Sequence, residues 1–310
     1  DMSDTGNSGI DKVQIKFVDG EQTSTDDIGW TDCTAGSVNW NSELTWANNT
    51  VFDTEGKKTV FVKAIDGAGN EATDYKTFTY DKSKPVLTLT NPLSTSETNI
   101  ISDEVGTDGY VLSGTLTETN ALAATNPFVI KVNGVSDSIT PDSTGAWTYT
   151  IAKGTTVGTL KSDASVEIEL TATDIANKSD TKKYIVYYDT QSPELVVSSP
   201  AEDEPVSTSA LAIKGTVSDN GYGVEKVEYV LYSGTVTSAN EDTATKIQSD
   251  SQDVTSVNFP LERKGEQWYM KNPSVNMPLG ETEGQLTLKV IATEKTKNGH
   301  GGRTTIEYVP

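Results

Sequence analysis

The chain has 310 residues, 34% of them hydrophobic, with 45 acidic against 24 basic side chains and a net charge of −21. That balance repels nucleic acid and anionic lipid, and no run approaches the roughly 18 consecutive apolar residues of a membrane-spanning helix, so direct membrane insertion is not expected of it. The acidity is spread over residues 1–82, 83–190 and 191–310 as −8, −6 and −7, which describes a solvated surface that suits divalent cations and not one acidic tail.

Cys33 is the sole cysteine, which excludes an intrachain disulfide and a thiolate metal cluster. It reads as a small apolar residue of a core. Asp1-Met2 is not a natural start, and no basic segment followed by an apolar core opens the chain. The chain is expected to be a piece of a longer array, with any secretion signal outside it.

Taken in order, residues 3–20 (SDTGNSGIDKVQIKFVDG) match residues 218–234 (SDNGYGVEKVEYVLYSG) in an Asp/Gly turn, a small hydrophobic residue and an alternating strand. The later segment is preceded by two further strands, SPELVVSSP and SALAIKGTV, and the earlier one is not. The first unit, residues 1–82, is therefore expected to lack its first strands. Such a unit leaves an open strand edge through which chains can self-associate.

Residues 62–85 (VKAIDGAGNEATDYKTFTYDKSKP) then read as strand, tight turn, strand and a Tyr-Asp exit to proline. The pattern returns at 170–193 (LTATDIANKSDTKKYIVYYDTQSP) and, degenerate, at 288–310 (LKVIATEKTKNGHGGRTTIEYVP). Tyr80, Tyr188 and Tyr308 set repeat lengths of 108 and 120 residues, the size of a small β-sandwich. Units at 1–82, 83–190 and 191–310 follow.

The second and third units open on strands bracketed by prolines seven residues apart, Pro85 and Pro92, then Pro193 and Pro200. Proline lacks the N–H of a ladder, so these are edge strands. Four residues separate Tyr from Pro at each boundary, DKSK and DTQS once the shared Asp is counted. Linkers this short hold neighbours end to end, and strands rising about 3.3 Å per residue give a rod on the order of 120 Å.

Inner strands ending in Gly-Thr follow at 110–118 and 211–219, and residues 127–151 read as strand, Asn133-Gly134 turn, strand, DSTG turn and a strand through Trp147. Trp40, Trp147 and Trp268 stand 26, 27 and 26 residues before Asp66, Asp174 and Glu294. A tryptophan kept at one place in each unit reads as the large residue between two sheets. The third unit inserts residues 233–254, polar and without apolar periodicity, which reads as a long exposed loop or a mobile β-excursion.

With these residues on the page, the chain resembles the bacterial Ig-like repeats that stand in tandem on large surface and secreted proteins. The matching segments are Pro193 to Pro200, the G-T-V-x-D run Gly215 to Asp219, the GV-x-K-V-x-Y strand Gly223 to Tyr229, and the closing V-x-A-x-D-x-A-G-N hairpin Val62 to Asn70. The second unit departs by lacking the GV-x-K-V-x-Y strand, and the third by replacing the D-x-A-G-N turn with Glu294 to Gly302. The resemblance implies an all-β fold of three tandem Ig-like sandwiches, the first without its N-terminal strands. By analogy of fold it implies an extracellular structural stalk or spacer of a bacterial surface or secreted protein, partnered by further repeats of that protein.

Chemistry-bearing residues are few. His300 is the sole histidine and lies in an NGHGG turn, where glycines answer to backbone geometry, so neither a triad nor a metal site is built on it. Nothing marks two of the 45 acids as a glycosidase pair, and an enzyme is not expected. Calcium takes oxygen ligands, which gather at Asp66 and Asn70, at Asp174, and at the linker positions Asp81 and Asp189. The competing account is that Asp and Asn are turn formers that bond their own backbone. Trp30 and Trp46 have no counterparts in the other units, which leaves them as surface aromatics for an adhesin or carbohydrate-binding alternative.

Overall fold

The structure is a computed structural model that describes residues 8–33, 49–91, 93–206, 210–247, 261–264, 267–270, 274–278, 284–297 and 300–310. Among these the regular structure is β throughout, apart from 3-10 turns at Thr50–Phe52 and Glu241–Thr243. In the first unit β1 (Ile10–Asp19), β2 (Thr31–Asp32), β3 (Gly56–Asp66) and β4 (Glu71–Tyr80) form one sheet in the order β2-β1-β3-β4. Period-two alternation puts Val13, Ile15 and Phe17 on one face with Val62, joined by the buried thiol of Cys33. Phe17, Phe52, Phe78 and Tyr80 continue that face, their ring centroids 5.2–6.4 Å apart. Lys58, fully buried, ends on the Asp19 carboxylate and Thr54.

The second unit is a complete sandwich of β5 (Val86–Leu89), β6 (Thr98–Ile101), β7 (Gly109–Thr117), β8 (Phe128–Val132), β9 (Val135–Ser138), β10 (Ala146–Ala152), β11 (Ala164–Thr173) and β12 (Ser179–Tyr188). One sheet runs β10-β7-β5, with β5 at its edge, and the other β6-β12-β11-β8-β9. Inward residues alternate along β11 as Val166, Ile168, Leu170 and Ala172, none more than 1% exposed; each of the three larger ones contributes about 1.5–3 kcal/mol by burial. They meet Leu112, Leu116 and Ile151 of the facing sheet. Trp147 bridges the two, 3% exposed, with its ring edge-on to Phe128 at 5.2 Å, as its recurrence in the sequence predicts.

The recurring Gly-Thr has a packing cause. A Cβ on Gly114 would lie 1.9 Å from the carbonyl oxygen of Thr88 on β5 and 2.8 Å from the Trp147 ring. Its counterpart Gly215 would meet the Val196 carbonyl oxygen at 2.2 Å. Only glycine lets the edge strand lie this close.

The third unit repeats the plan. The strands β13 (Glu194–Ser199), β14 (Ala210–Ser218) and β18 (Ser274–Pro278) form one sheet, and β15 (Val224–Ser233), β19 (Leu286–Glu294) and β22 (Thr304–Val309) the other. Between them lie the hairpins β16 (Leu261–Lys264) with β17 (Gln267–Met270), and β20 (Thr296–Lys297) with β21 (His300–Gly301). Trp268 falls on β17, opposite Arg263. The sheet of the first unit corresponds to the second sheet here, β1, β3 and β4 standing where β15, β19 and β22 stand. A partner sheet equivalent to β5-β7-β10 has no counterpart among the described residues of the first unit, and residues 34–48 with Trp40 lie outside them.

One feature differs from expectation. The parallel strand β6, paired with β12 from Thr98 to Ile101, carries no sequence pattern strong enough to announce it. The insertion in the third unit is mostly exposed over its described part, 233–247, and is anchored at a few points: Ile247 N–H bonds Leu231, Val236 is buried, and Glu241 accepts hydrogen bonds from both Tyr232 and Tyr308 at 2.7 Å and from Lys289 at 2.5 Å. Residues 248–254 lie outside the described residues.

Candidate functional site

The places where units meet hold the densest buried chemistry. Strand β12 leaves the second unit alongside β6, and the parallel pairing runs one residue past the strand, Asp189 N–H bonding the Ile101 carbonyl at 2.9 Å. The linker is then stapled to the second unit by Asp163, whose carboxylate accepts from Thr190 N–H at 2.8 Å, Thr190 Oγ1 at 2.9 Å and Gln191 Nε2 at 3.0 Å. Asp189 is thereby aimed at the third unit.

From the third unit, β14 is followed by Asp219, whose Oδ2 accepts from Gly221 N–H at 3.0 Å and Gly223 N–H at 2.7 Å. That folds the SDNGYG turn and lays Gly221 against Asp189. A Cβ at Gly221 would fall 1.8 Å from Asp189 Oδ2, so the glycine is required by close approach. The next residue, Tyr222, turns its N–H to Asp189 Oδ2 at 3.3 Å and its hydroxyl to Glu104 at 3.4 Å. Strand β19 contributes Glu294, fully buried, its N–H bonded to the Arg303 carbonyl at 2.9 Å.

Arg303 closes the junction. Its guanidinium gives Nε to Glu294 Oε2 at 3.1 Å and Nη2 to Glu294 Oε1 at 2.8 Å. Nη2 also stands 2.8 Å from Asp189 Oδ2, while Nη1 bonds Ser102 Oγ at 2.8 Å and the Asp189 carbonyl at 3.1 Å. One side chain of the third unit thus holds its own Glu294 and three atoms of the second unit and linker. Asp189, Asp219 and Glu294 are 2%, 5% and 0% exposed, and one carboxylate oxygen from each lies within 4.8 Å of the others.

Burial and then the Asp189 carboxyl push the Glu294 carboxyl up to about 8, against the pull of Arg303. Burial likewise raises Asp219, although two backbone N–H groups oppose it. Burial works against the charged Arg303, but its bonds to Glu294 and the charge of Asp189 prevail and raise it. The group therefore keeps a proton that separate carboxyls would have lost, and it belongs to the cluster as a whole.

The first junction repeats these positions. Glu55 stands where Asp163 does, accepting from Lys82 N–H at 2.8 Å, from Ser83 Oγ at 2.5 Å and from Ser83 N–H. Asp81 corresponds to Asp189, Glu118 to Asp219 and Asp174 to Glu294. Here the cation is Lys178, 3.0 Å from Asp81 Oδ1 and 3.5 Å from Asp174 Oδ2. The Asp81 side chain is 1% exposed. Asp81 Oδ1 meets the Lys178 charge, and both Asp81 oxygens, like Glu118 Oε2, are buried without a geometrically formed hydrogen bond.

The residues singled out in the sequence divide among these places. Asp81 and Asp174 come together through Lys178, and Asp189 joins the second junction. Asp66 and Asn70 stay in the β3–β4 turn, Asp66 Oδ1 accepting from Ala68 and Asn70 N–H at 2.9 and 2.8 Å and Oδ2 from Asn70 Nδ2 at 2.7 Å. Trp30 has Lys63 Nζ 4.7 Å from its ring centroid and gives its indole N–H to the Asp26 carbonyl at 3.2 Å; Trp46 lies outside the described residues.

Asp219, Glu294 and Arg303 were missed. The available signal was register: Asp219 follows Gly-Thr as Glu118 does, and Glu294 aligns with Asp174. A groove of about 490 Å³ on β11 and β12 is lined in part by Glu167, Glu169, Lys131 and Lys183, and Glu169 is held by both lysines at 3.1 and 2.7 Å.

No protein-family profile and no curated protein matches the chain. Among solved structures it is similar to the tetra-tandem repeat in the extending region of a large adhesion protein, with 17% identity and a TM-score of 0.34 over 96% of this chain and 65% of that one. It is similar to the protocadherin gamma B4 extracellular domain at 13% identity and a TM-score of 0.36, over 95% and 42% of the two chains. A Ca2+-stabilized adhesin of an Antarctic bacterium gives 17% identity and a TM-score of 0.28, over 98% and 65%. The chain spans at most 65% of the length of these three.

Proposed function

We propose that this chain is a non-catalytic structural segment of an extracellular protein, a spacer of tandem sandwiches held at set angles in a bacterial surface or secreted protein, with further repeats as its neighbours. The observation that carries this reading is Arg303, whose guanidinium bonds Glu294 of its own unit together with Ser102 and Asp189 of the preceding one. Buried, charge-assisted bonds across a boundary resist bending in a way that a solvated linker does not. Small-angle scattering tests it: a maximum dimension near the rod estimate of about 120 Å supports the spacer, and a compact or broadly distributed envelope refutes it. The adhesin or carbohydrate-binding alternative is weakened by Trp30, one of whose faces Lys63 covers. A selective hit on a glycan array, lost in Trp30→Ala or Trp46→Ala, would favour it over the spacer.

Calcium belongs to this proposal at the first junction. Asp81 and Glu118 present buried oxygens with no hydrogen-bond partner, a donor chemistry that suits a hard cation. Bound there beside the Lys178 ammonium, calcium would supply the coordination those oxygens lack. The chain's own residues aim them: Glu55 fixes the linker backbone and Lys178 holds Asp81 against Asp174. Wild type should melt higher in millimolar calcium than in EDTA by mass action, and Asp81→Asn should abolish the shift; an unshifted wild type retires the idea. Self-association through the first unit is checked by whether sedimentation shows concentration-dependent assembly.

A further inference from the structure

We infer that Arg303 is a tethered counter-ion that does at the second junction what a metal ion would otherwise do, and that removing it turns Asp189, Asp219 and Glu294 into a divalent-cation site. The three carboxylates converge within 4.8 Å in a place almost closed to water, where uncompensated negative charge is costly. A positive charge is therefore required, and the guanidinium provides it.

With Arg303 present the oxygens are already engaged. Glu294 Oε1 and Oε2 each accept from the guanidinium, Asp189 Oδ2 accepts from Tyr222 N–H and pairs with Nη2, and Asp189 Oδ1 accepts from Gln191 N–H at 3.2 Å. Calcium needs six to eight oxygens at about 2.3–2.6 Å, so the residues present do not fit a metal while the arginine holds them.

The first junction supplies an independent observation. The same three positions carry Asp81, Glu118 and Asp174, yet the cation comes from elsewhere in the sequence. Lys178 lies four residues after Asp174, inside the hairpin turn, while Arg303 lies nine residues after Glu294, beyond it. Two unrelated positions that bring a cation to one spot indicate that the spot requires positive charge, from whichever side chain can reach.

The inference rests on the end-to-end reading above but fails differently: loss of the end-to-end arrangement shows in scattering, and failure of this inference shows in metal stoichiometry. The test is calorimetric titration of EDTA-treated chain with calcium, using wild type, Arg303→Met, Asp219→Asn and the Arg303→Met/Asp219→Asn double variant. Arg303→Met should bind one calcium per chain more than wild type, and should melt lower than wild type in EDTA and recover in calcium. The double variant should lose the extra ion, and Asp219→Asn alone should leave the wild-type count unchanged. A folded Arg303→Met chain with the wild-type count overturns the inference. So does a wild-type count that falls on Asp219→Asn, since the cluster would then already hold metal beside the arginine. Should Arg303→Met not fold, Arg303→Gln, which removes the same charge and keeps a polar side chain, carries the same expectation of one extra ion and the same overturning result.

Discussion

Gly221→Ala adds one methyl group to a turn, a change that at a φ open to alanine ordinarily stabilises by about 0.4–1 kcal/mol through the unfolded chain. The opposite sign is expected here. The new Cβ would stand 1.8 Å from Asp189 Oδ2, 2.1 Å from Cγ and 2.6 Å from Cβ. Rotating the Asp189 side chain moves its oxygens but leaves its Cβ in place, so the clash is relieved only if the linker backbone withdraws. Withdrawal stretches the Asp189 bonds to Arg303 and to Tyr222 N–H. A hydrogen bond to a charged group contributes about 1.5–3 kcal/mol and a neutral donor about 1, which sets a net cost of roughly 2–3 kcal/mol after the entropic gain. Urea unfolding followed through the transition of the third unit measures it, since units that unfold separately cannot share one free energy. Scattering should show a broader envelope. A control isolates the cause: in an Asp189→Gly background the alanine should regain its ordinary small stabilisation. Unchanged or raised stability in the Asp189 chain would show that the junction is not held as described.

The third unit should be most stable near pH 5. The Glu294 carboxyl, raised to about 8 by burial and Asp189, binds its proton more tightly when folded, so its contribution is present below the ordinary carboxyl range and is lost as pH rises towards 8. Glu241, lowered to about 2 by Lys289, Tyr308 and Tyr232, contributes above the ordinary range and loses that as pH falls. Each limb is expected on the order of 1–3 kcal/mol, and Glu241→Gln should flatten the acid limb alone in a pH series of melts. Asp163→Ala frees Thr190 and Gln191 and should broaden the angle between the second and third units in scattering while moving the melting of either by little; a sharp loss of unit stability would contradict its role as a linker staple. Trp147→Ala should cost the second unit about 3–5 kcal/mol, whereas Trp147→Phe should cost less, because it keeps a ring beside Phe128 and the buried indole N–H has no hydrogen bond to lose.

The hairpins were legible because their information is local: Asn133-Gly134 and the Asp66 and Asp174 turns carry their own chemistry, and alternation fixes which side of β11 turns inward. Trp147 was legible through repetition. The parallel strand β6 was not, since TNII is four residues long and its partners on β12 lie 87 residues away. The second junction was half legible. Asp189 stood out as a repeated linker residue, but Arg303 reaches it across 114 residues, and Glu294 was seen only as a departure from the D-x-A-G-N turn. Local pattern marks elements, while a clasp between units depends on which ends the sandwich brings together.

The two junctions share a division of labour. An acidic residue just before the next-to-last strand of its unit, Glu55 or Asp163, fixes the linker backbone to the unit it leaves. The next unit then brings carboxylates and a cation to the linker aspartate. The aspartate alone would be a liability, a charge placed at 1–2% exposure where solvation is lost and Coulomb forces are least screened. That same lack of screening makes its bond to a cation effective and directional. The fork of Arg303 engages two carboxylates, a hydroxyl and a carbonyl at once, where the point charge of Lys178 reaches two carboxylates and leaves oxygens of Asp81 and Glu118 without hydrogen bonds. On the spacer reading proposed above, stiffness is set junction by junction: the second is closed by the chain's own arginine, while the first leaves carboxylate oxygens without hydrogen-bond partners.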